Sequence, residues 1–407
     1  MSFVEERVIF AVALFLAMIA ARPVAGWTRL PESVVLVLLG AVGGVLVTQL
    51  LNLDTGIRAT SFHDLIFFVF LPILIFEAAI QLPQVLLQRN YSFVLFLSIV
   101  GVVLTTGIAA ICIYWGIGHP SGFPWVAALL TGALLSATDP VAVVAQLKTL
   151  GAPERLGLLL EGESLFNDAT AIALFGVLLA AALSTNAELD ALEALLEFAR
   201  IFFLGAFSGA AIGVLGAFLL RQNMPTGSAI VTSLAIAYGS FIVAEVVLHA
   251  SGVMAVLVAG LIVARMRTEQ MQSTHVVWQS LSYLANGCVF LLMGLTITVG
   301  MFEQRWLAML IAIGAILIAR ATTTYLGIAS LNLLATEPVD SKYQTAIVWG
   351  GLRGAVTLAL ALALPVELEY WWTIQSMAFG VVLFTLFVQA PSMPRLLSKL
   401  GLTEKRS

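Results

Sequence analysis

The sequence predicts an all-α polytopic membrane protein of about 13 transmembrane helices, with inverted-topology repeats and two crossed broken helices. Three observations carry this expectation. Hydrophobic residues make up 60% of the 407 residues and charged residues only 10%, a balance that excludes a soluble globular chain. Apolar runs of roughly 20 residues, the length that crosses a ~30 Å hydrocarbon core, recur along the whole chain. Two of those runs are interrupted by helix breakers beside a charge, at Ser136-Ala137-Thr138-Asp139-Pro140 and at Gly350-Gly351-Leu352-Arg353-Gly354.

In chain order the spans are expected near 5–23, 31–50, 64–82, 91–116, 124–147, 156–183, 195–220, 228–249, 252–266, 277–300, 306–334, 343–365 and 372–394. The first opens with Glu5 and Glu6 beside Arg7, and no small-residue cleavage site follows, so it reads as a retained span and not as a signal peptide. Cys112 and Cys288 lie inside apolar runs and read as small buried hydrophobes. Gly205, Gly209 and Gly213 in the seventh span form overlapping small-xxx-small steps, a signature of close helix packing. His63, His119 and His275 fall in loop or boundary regions and read as solvated histidines, with pH sensing at His275 the less favoured alternative.

Lys and Arg set the orientation. Arg22, Arg29, Arg89, Lys148, Arg155, Arg221, Arg265, Arg267, Lys342, Arg395, Lys399, Lys405 and Arg406 fall on one side of the thirteen-span arrangement. Only Arg7, Arg58 and Arg305 fall on the other, so the first side is cytoplasmic, with the N-terminus outside and the C-terminus inside the cell membrane. The opposite loops collect acid instead, Glu188, Asp190 and Glu193 in one and Glu367 and Glu369 in another.

The two interruptions occupy related positions in spans five and twelve. If spans four to six and eleven to thirteen are inverted copies, the broken members cross deep in the membrane. The exposed half-helix ends there carry partial charges that Asp139 and Arg353 can offset. Two unrelated kinks with incidental charges are the bland alternative, at the cost of unpaired charge at that depth.

Span six carries the chemistry. Leu160-Glu161-Gly162-Glu163-Ser164-Leu165-Phe166-Asn167-Asp168 puts three carboxylates, a hydroxyl and an amide into a run that is otherwise apolar. At about 100° per residue, Glu161, Ser164 and Asp168 share one face, while Glu163 and Asn167 share the adjoining one. Counting from Leu156 at 1.5 Å per residue, Asp168 lies about 18 Å along the helix, close to the midplane. Exchange of a small hard cation for a proton needs oxygen ligands and a carboxylate that either ion can occupy but not both together, and Asp168 fits that role. Ser164 Oγ, one turn earlier, and the Thr138 carbonyl, freed where Pro140 breaks its helix, are the natural neutral ligands, with structural capping as their alternative role. Glu77 reads as a ligand acting through water or as a carboxylate near the outer interface. Glu161 sits nearer the cytoplasm as a possible cation funnel, and Glu245 is as readily structural as functional.

These residues resemble a known family. Phe76-Glu77-Ala78, Thr138-Asp139-Pro140, Gly162 to Asp168, Ala244-Glu245, His249 to Ala255 and Gly350 to Ala355 are similar to signatures of monovalent cation/proton antiporters, in the branch of prokaryotic Na+/H+ antiporters and animal sodium/hydrogen exchangers. The likeness runs over nearly the whole chain. It implies a thirteen-helix homodimer in the lipid bilayer, each protomer having a core ion-translocation bundle, approximately 64–183 and 306–394, and a dimerisation part, approximately 5–50 and 195–300. It also pairs Arg320, in the middle of span eleven, with Glu163, leaving Glu163, Asn167, Arg320, Asp139 and Arg353 as supporting residues. No cofactor, nucleic acid or nucleotide-binding subunit is implied beyond the transported ion, Na+, Li+ or K+, and H+. Residue identity does not choose among those cations, so a K+/H+ antiporter of the same fold remains an alternative to Na+ or Li+ exchange.

Two other classes stand as rivals. A cation channel can use the same polar residues, although broken helices with a single buried carboxylate suit alternating access better than a multi-ion pore. An intramembrane enzyme lacks its usual signatures here: Gly-x-Gly-Asp, Gly-x-Ser-Gly, His-Glu-x-x-His and any Gly-Lys pair are all missing. The last span ends shortly before Ser407, so regulation through a long cytoplasmic tail is not expected.

Overall fold

The computed structural model describes residues 3–28, 30–45, 59–118, 123–183, 191–222, 224–266 and 269–403. Residues 46–50 of the second expected span, the loop charges Arg29, Arg58, Glu188, Asp190, Arg267, Lys405 and Arg406, and His119 lie outside the described residues.

The described chain is helical throughout and contains no strand. In order it runs α1 (Phe3–Thr28), α2 (Glu32–Val45), α3 (Ala59–Asp64), α4 (Leu71–Gln81), α5 (Gln84–Leu95), α6 (Gly101–Ile117), α7 (Trp125–Ser136), α8 (Val141–Thr149) and α9 (Glu154–Leu183). It continues with α10 (Ala191–Leu220), α11 (Thr226–Ile242), α12 (Gly252–Arg265), α13 (Glu269–Leu295), α14 (Val299–Asn332), α15 (Ser341–Gly350), α16 (Ala355–Leu362), α17 (Trp371–Phe384) and α18 (Ala390–Leu400). π-Helical stretches at Leu65–Phe70, Phe96–Val100, Val243–Val247 and Thr385–Gln389 join or extend neighbouring helices, so one span holds α3 and α4, another α5 and α6, and another α17 and α18.

Among the described residues ten helices are long and apolar enough to cross a bilayer, and the pair Ser341–Gly350 and Ala355–Leu362, bent by 41°, makes an eleventh. The two remaining expected spans coincide with the shorter apolar helices Glu32–Gly44 and Gly252–Arg265. Every predicted span therefore falls on a helix, while length and apolarity by themselves reach eleven and not thirteen.

Local sequence explains where helices start and stop. Pro124 and Pro225 precede α7 and α11, and their carbonyls accept from Ala128 N at 3.0 Å and Ala229 N at 3.1 Å. Proline is suited there, because its missing N–H would have had no helical partner. Ser251 caps α12 by accepting from Met254 N at 3.2 Å. Glu245 accepts from Gly252 N at 2.8 Å, so its observed contact is the structural one of its two sequence readings.

Packing places the helices in two neighbourhoods. In one, α10 lies along α12, α2 along α13, and α4 against α12; in the other, α14 contacts α6 and α17, and α6 contacts α7. The glycine steps of α10 meet α12 backbone to backbone: a Cβ on Gly213 would sit 2.8 Å from the Cα of Ala259, and Gly205 and Gly209 press equally on Ser251 and Ala255. Gly209→Leu is therefore expected to force the two helices apart, at a cost of about 1–3 kcal/mol or more. A clearly lowered thermal midpoint of the purified protein would register this; an unchanged midpoint would contradict the contact.

Candidate functional site

The site is built where the two helix breaks meet. Residues 137–140 separate α7 from α8, and residues 351–354 separate α15 from α16. The breaks are joined by backbone: Asp139 N donates to Leu352 O at 2.9 Å. Gly354 allows this approach, since a Cβ there would lie 2.8 Å from Asp139 Cγ. Asp139 Oδ1 accepts from Val141 N at 3.1 Å at the start of α8, and the Ala355 amide at the start of α16 reaches the same carboxylate. The buried Arg353 does the reverse: Nε donates to Leu135 O at the end of α7 at 2.5 Å, and Nη1 donates to Gly351 O. A carboxylate thus faces two helix N-termini and a guanidinium faces the C-terminal ends, the signs that helix dipoles require. Thr385 Oγ1, in the π-helical stretch of the last span, accepts from Arg353 N and donates to Arg353 O, each at 3.1 Å.

α9 docks its polar wedge onto the first break. Ser164 Oγ donates to the Thr138 carbonyl at 2.5 Å, Asn167 Nδ2 donates to Thr138 Oγ1 at 2.6 Å, and Thr138 N donates to Asn167 Oδ1 at 3.2 Å. Ser164, Thr138 and Asn167 are all buried. Asp168 Oδ1 is buried as well and has no hydrogen-bond partner among the described residues. A buried carboxylate oxygen without a donor is costly unless a proton, a cation or a water meets it.

On the other face of α9, Glu163 receives both terminal nitrogens of Arg320, with Nη2 to Oε2 at 2.9 Å; Arg320 Nη2 also donates to Ile347 O of α15 at 3.2 Å. The pair is 1% and 6% exposed, so it ties α9, α14 and α15 together where water cannot substitute.

A cavity of about 290 Å³ gathers the candidate residues: Glu77, Thr138, Asp139, Glu161, Ser164 and Asp168 all line it. Asn167, Glu163, Arg320 and Arg353 are not among the residues that line it. Gln81, Lys148 and Glu161 are shared with a second cavity of about 260 Å³ that reaches Glu154 at the start of α9, so a funnel leads from this end of the bundle toward Asp168. Glu77 faces that funnel, where Gln81 and Ser282 hydrogen-bond to it. Of its two sequence readings, Glu77 thus takes a place on the cavity beside Lys148. Sequence reasoning missed Ser282 and Asn286, which also line the cavity. Their spacing of four along α13, inside an apolar run, was the available signal. Lys148 was read only as a loop charge; it occupies the last turn of α8 and lines the funnel.

A bundle of apolar helices in which two discontinuous members meet at a buried carboxylate belongs to the class of membrane transporters built on broken helices. The comparisons make this specific. The family described as "Sodium/hydrogen exchanger, transmembrane" matches residues 10–399, and the chain belongs to that family. It is 36% identical to the Na+/H+ antiporter ApNhaP of Aphanothece halophytica, over 93% of this chain and 71% of that one. It is 33% identical to the Na+/H+ antiporter NhaH of Halobacillus dabanensis, over 97% and 98% of the two chains. The fold resembles that of the sodium proton antiporter MjNhaP1 from Methanocaldococcus jannaschii, solved at pH 8, with a TM-score of 0.78 at 20% identity over 97% and 99% of the chains.

The Glu163–Arg320 pair gives a prediction independent of transport. Glu163→Ala or Arg320→Ala leaves one buried charge without its partner and is expected to cost about 3 to 5 kcal/mol. The double mutant is expected to recover part of that loss in a thermal melt; strictly additive losses would show that the two side chains do not interact.

Proposed function

We propose that this protein is a secondary antiporter that exchanges Na+ or Li+ for H+ by alternating access, one cation for one proton. The observation that carries the reading is the unpartnered Asp168 Oδ1, buried beside the Ser164 hydroxyl and the Thr138 carbonyl at the inner end of the funnel. These are hard oxygen donors around a single carboxylate, the chemistry of a site that a small cation and a proton occupy in turn. The hydroxyl and the carbonyl already share one hydrogen bond, yet each oxygen keeps a lone pair for a cation. Relatives matched over 93% and 97% of this chain are named Na+/H+ antiporters, which supports Na+ as the cation.

In this reading Glu77 and Glu161 conduct the cation along the funnel, and Asn167, Asp139, Arg353 and the Glu163–Arg320 pair hold the frame. The funnel opens at the end of α8 and the start of α9, beside Lys148 and Arg155, which the distribution of basic residues assigns to the cytoplasm. The conformation is then inward-facing, in a cell-membrane protein of thirteen spans with its N-terminus outside. α1 and α10 present exposed apolar faces, including Val12, Phe15, Ile19, Phe203, Phe207 and Phe218, which serve lipid and the partner in a homodimer whose contacts come from the dimerisation part.

Asp168→Asn keeps the shape of the side chain and removes the charge that both ions need. It is expected to abolish Na+-driven proton movement in proteoliposomes while folding is retained; exchange near the wild-type rate would remove Asp168 from the shared site.

Stoichiometry follows from the same residues. Asn167 cannot titrate, and Glu163 is held by Arg320, so a single carboxylate cycles. Exchange is expected to be electroneutral and indifferent to membrane potential, whose work of about 2.3 kcal/mol per charge per 100 mV applies only when net charge crosses. Clamping the voltage with valinomycin and K+ should leave the reversal point where the two ion gradients set it. A reversal point that moves with voltage would mean that a second group titrates.

A further inference from the structure

Lys148 is the one described cation among the side chains of the funnel. It belongs to the last turn of α8 and lines both cavities, as Glu161 of α9 does, while Glu77 of α4 lines the first. It forms no ion pair within 4.0 Å with any described acid. A lysine in a final turn ordinarily complements the helix dipole and turns to water. This one is exposed, yet it also lines both cavities together with Glu161, with Glu77 lining the first of them.

Resting on the antiport reading above, we propose that Lys148 is a tethered competing cation: its ammonium occupies the negative mouth of the funnel and lowers the affinity for Na+ arriving from that side alone. A funnel with Glu77, Glu161, Asp139 and Asp168 and no such charge would concentrate Na+ and hold it, slowing release into the compartment on which it opens. An ammonium on a four-carbon stem can swing aside when an ion passes, which a rigid pair could not do. Because α8 is the inner half of a broken span and α4 and α9 belong to other spans, the balance between Lys148 and its two acids belongs to the inward-open arrangement.

The test compares wild type with Lys148→Met, Lys148→Glu and Lys148→Arg in proteoliposomes of defined orientation. Orientation is read from protease access to the C-terminal segment, which lies at the funnel end because Leu397 and Leu147 share a packed cluster. Na+ is presented on one side at a time against a pH gradient. On the funnel side KM for Na+ is expected to fall at least threefold in Lys148→Met, further in Lys148→Glu, and to stay near wild type in Lys148→Arg. On the opposite side it is expected not to change. Raising ionic strength with choline chloride should shrink the difference, since a solvent-exposed charge is screened over ~8–10 Å at 0.1–0.15 M salt. KM values that do not follow charge, or that shift equally on both sides, would overturn the role. Na+-induced thermal stabilisation of the purified proteins gives a readout that needs no transport: Lys148→Met should reach half-maximal stabilisation at lower Na+ than wild type, and equal midpoints count against the inference. Failure of the wild type to exchange Na+ for H+ would instead sink the antiport reading, with the stabilisation midpoints still deciding the role of Lys148.

Discussion

Everything at the candidate site depends on ending four half-helices deep inside an apolar bundle without leaving their backbone groups unpaired. α7 and α15 end there and α8 and α16 begin there, so each freed carbonyl and amide needs a partner within the protein or in the cavity. Asp139 and Arg353 meet this constraint by opposite signs, the first on amides of α8 and α16, the second on carbonyls beside the ends of α7 and α15. The bond from Asp139 N to Leu352 O then makes the two breaks a single unit, and only a residue without a Cβ fits at Gly354.

α9 is fitted to that unit rather than merely packed near it. Asn167 matches Thr138 with a donor for its hydroxyl and an acceptor for its amide, and Ser164 takes its carbonyl. On the far side Glu163 and Arg320 hold the same helix to α14 and α15. Asp168 Oδ1 is left without a hydrogen-bond partner among the described residues, as is Arg320 Nε on the far side.

The π-helical stretches contribute to the same end. In the last span, Thr385–Gln389 brings the Thr385 hydroxyl onto both backbone groups of Arg353, and Phe96–Val100 widens the turn beside α9. Such bulges shift a helical face by part of a turn, so polar groups can be aimed inward without ending the helix.

The sequence alone determined a great deal of this. Composition and run length are sufficient for a helical membrane protein, because a bilayer admits few alternatives, and a proline or paired glycines inside an apolar run are sufficient to mark a broken span. Helical periodicity in span six separated Ser164 and Asp168 from Glu163 and Asn167, the same division the structure makes between cavity lining and frame. Tertiary structure decided what periodicity within one helix cannot reach. Glu77 belongs to the funnel end because α4 packs beside α9 and α13, not because of its own surroundings in sequence. Ser282 and Asn286 join the site because α13, whose pattern is otherwise unremarkable, runs past the cavity. Lys148 changed from a loop charge to a funnel residue because α8 is short and ends at that wall. Distances between helices are set by packing among spans far apart in the chain, and one-dimensional spacing carries no measure of them.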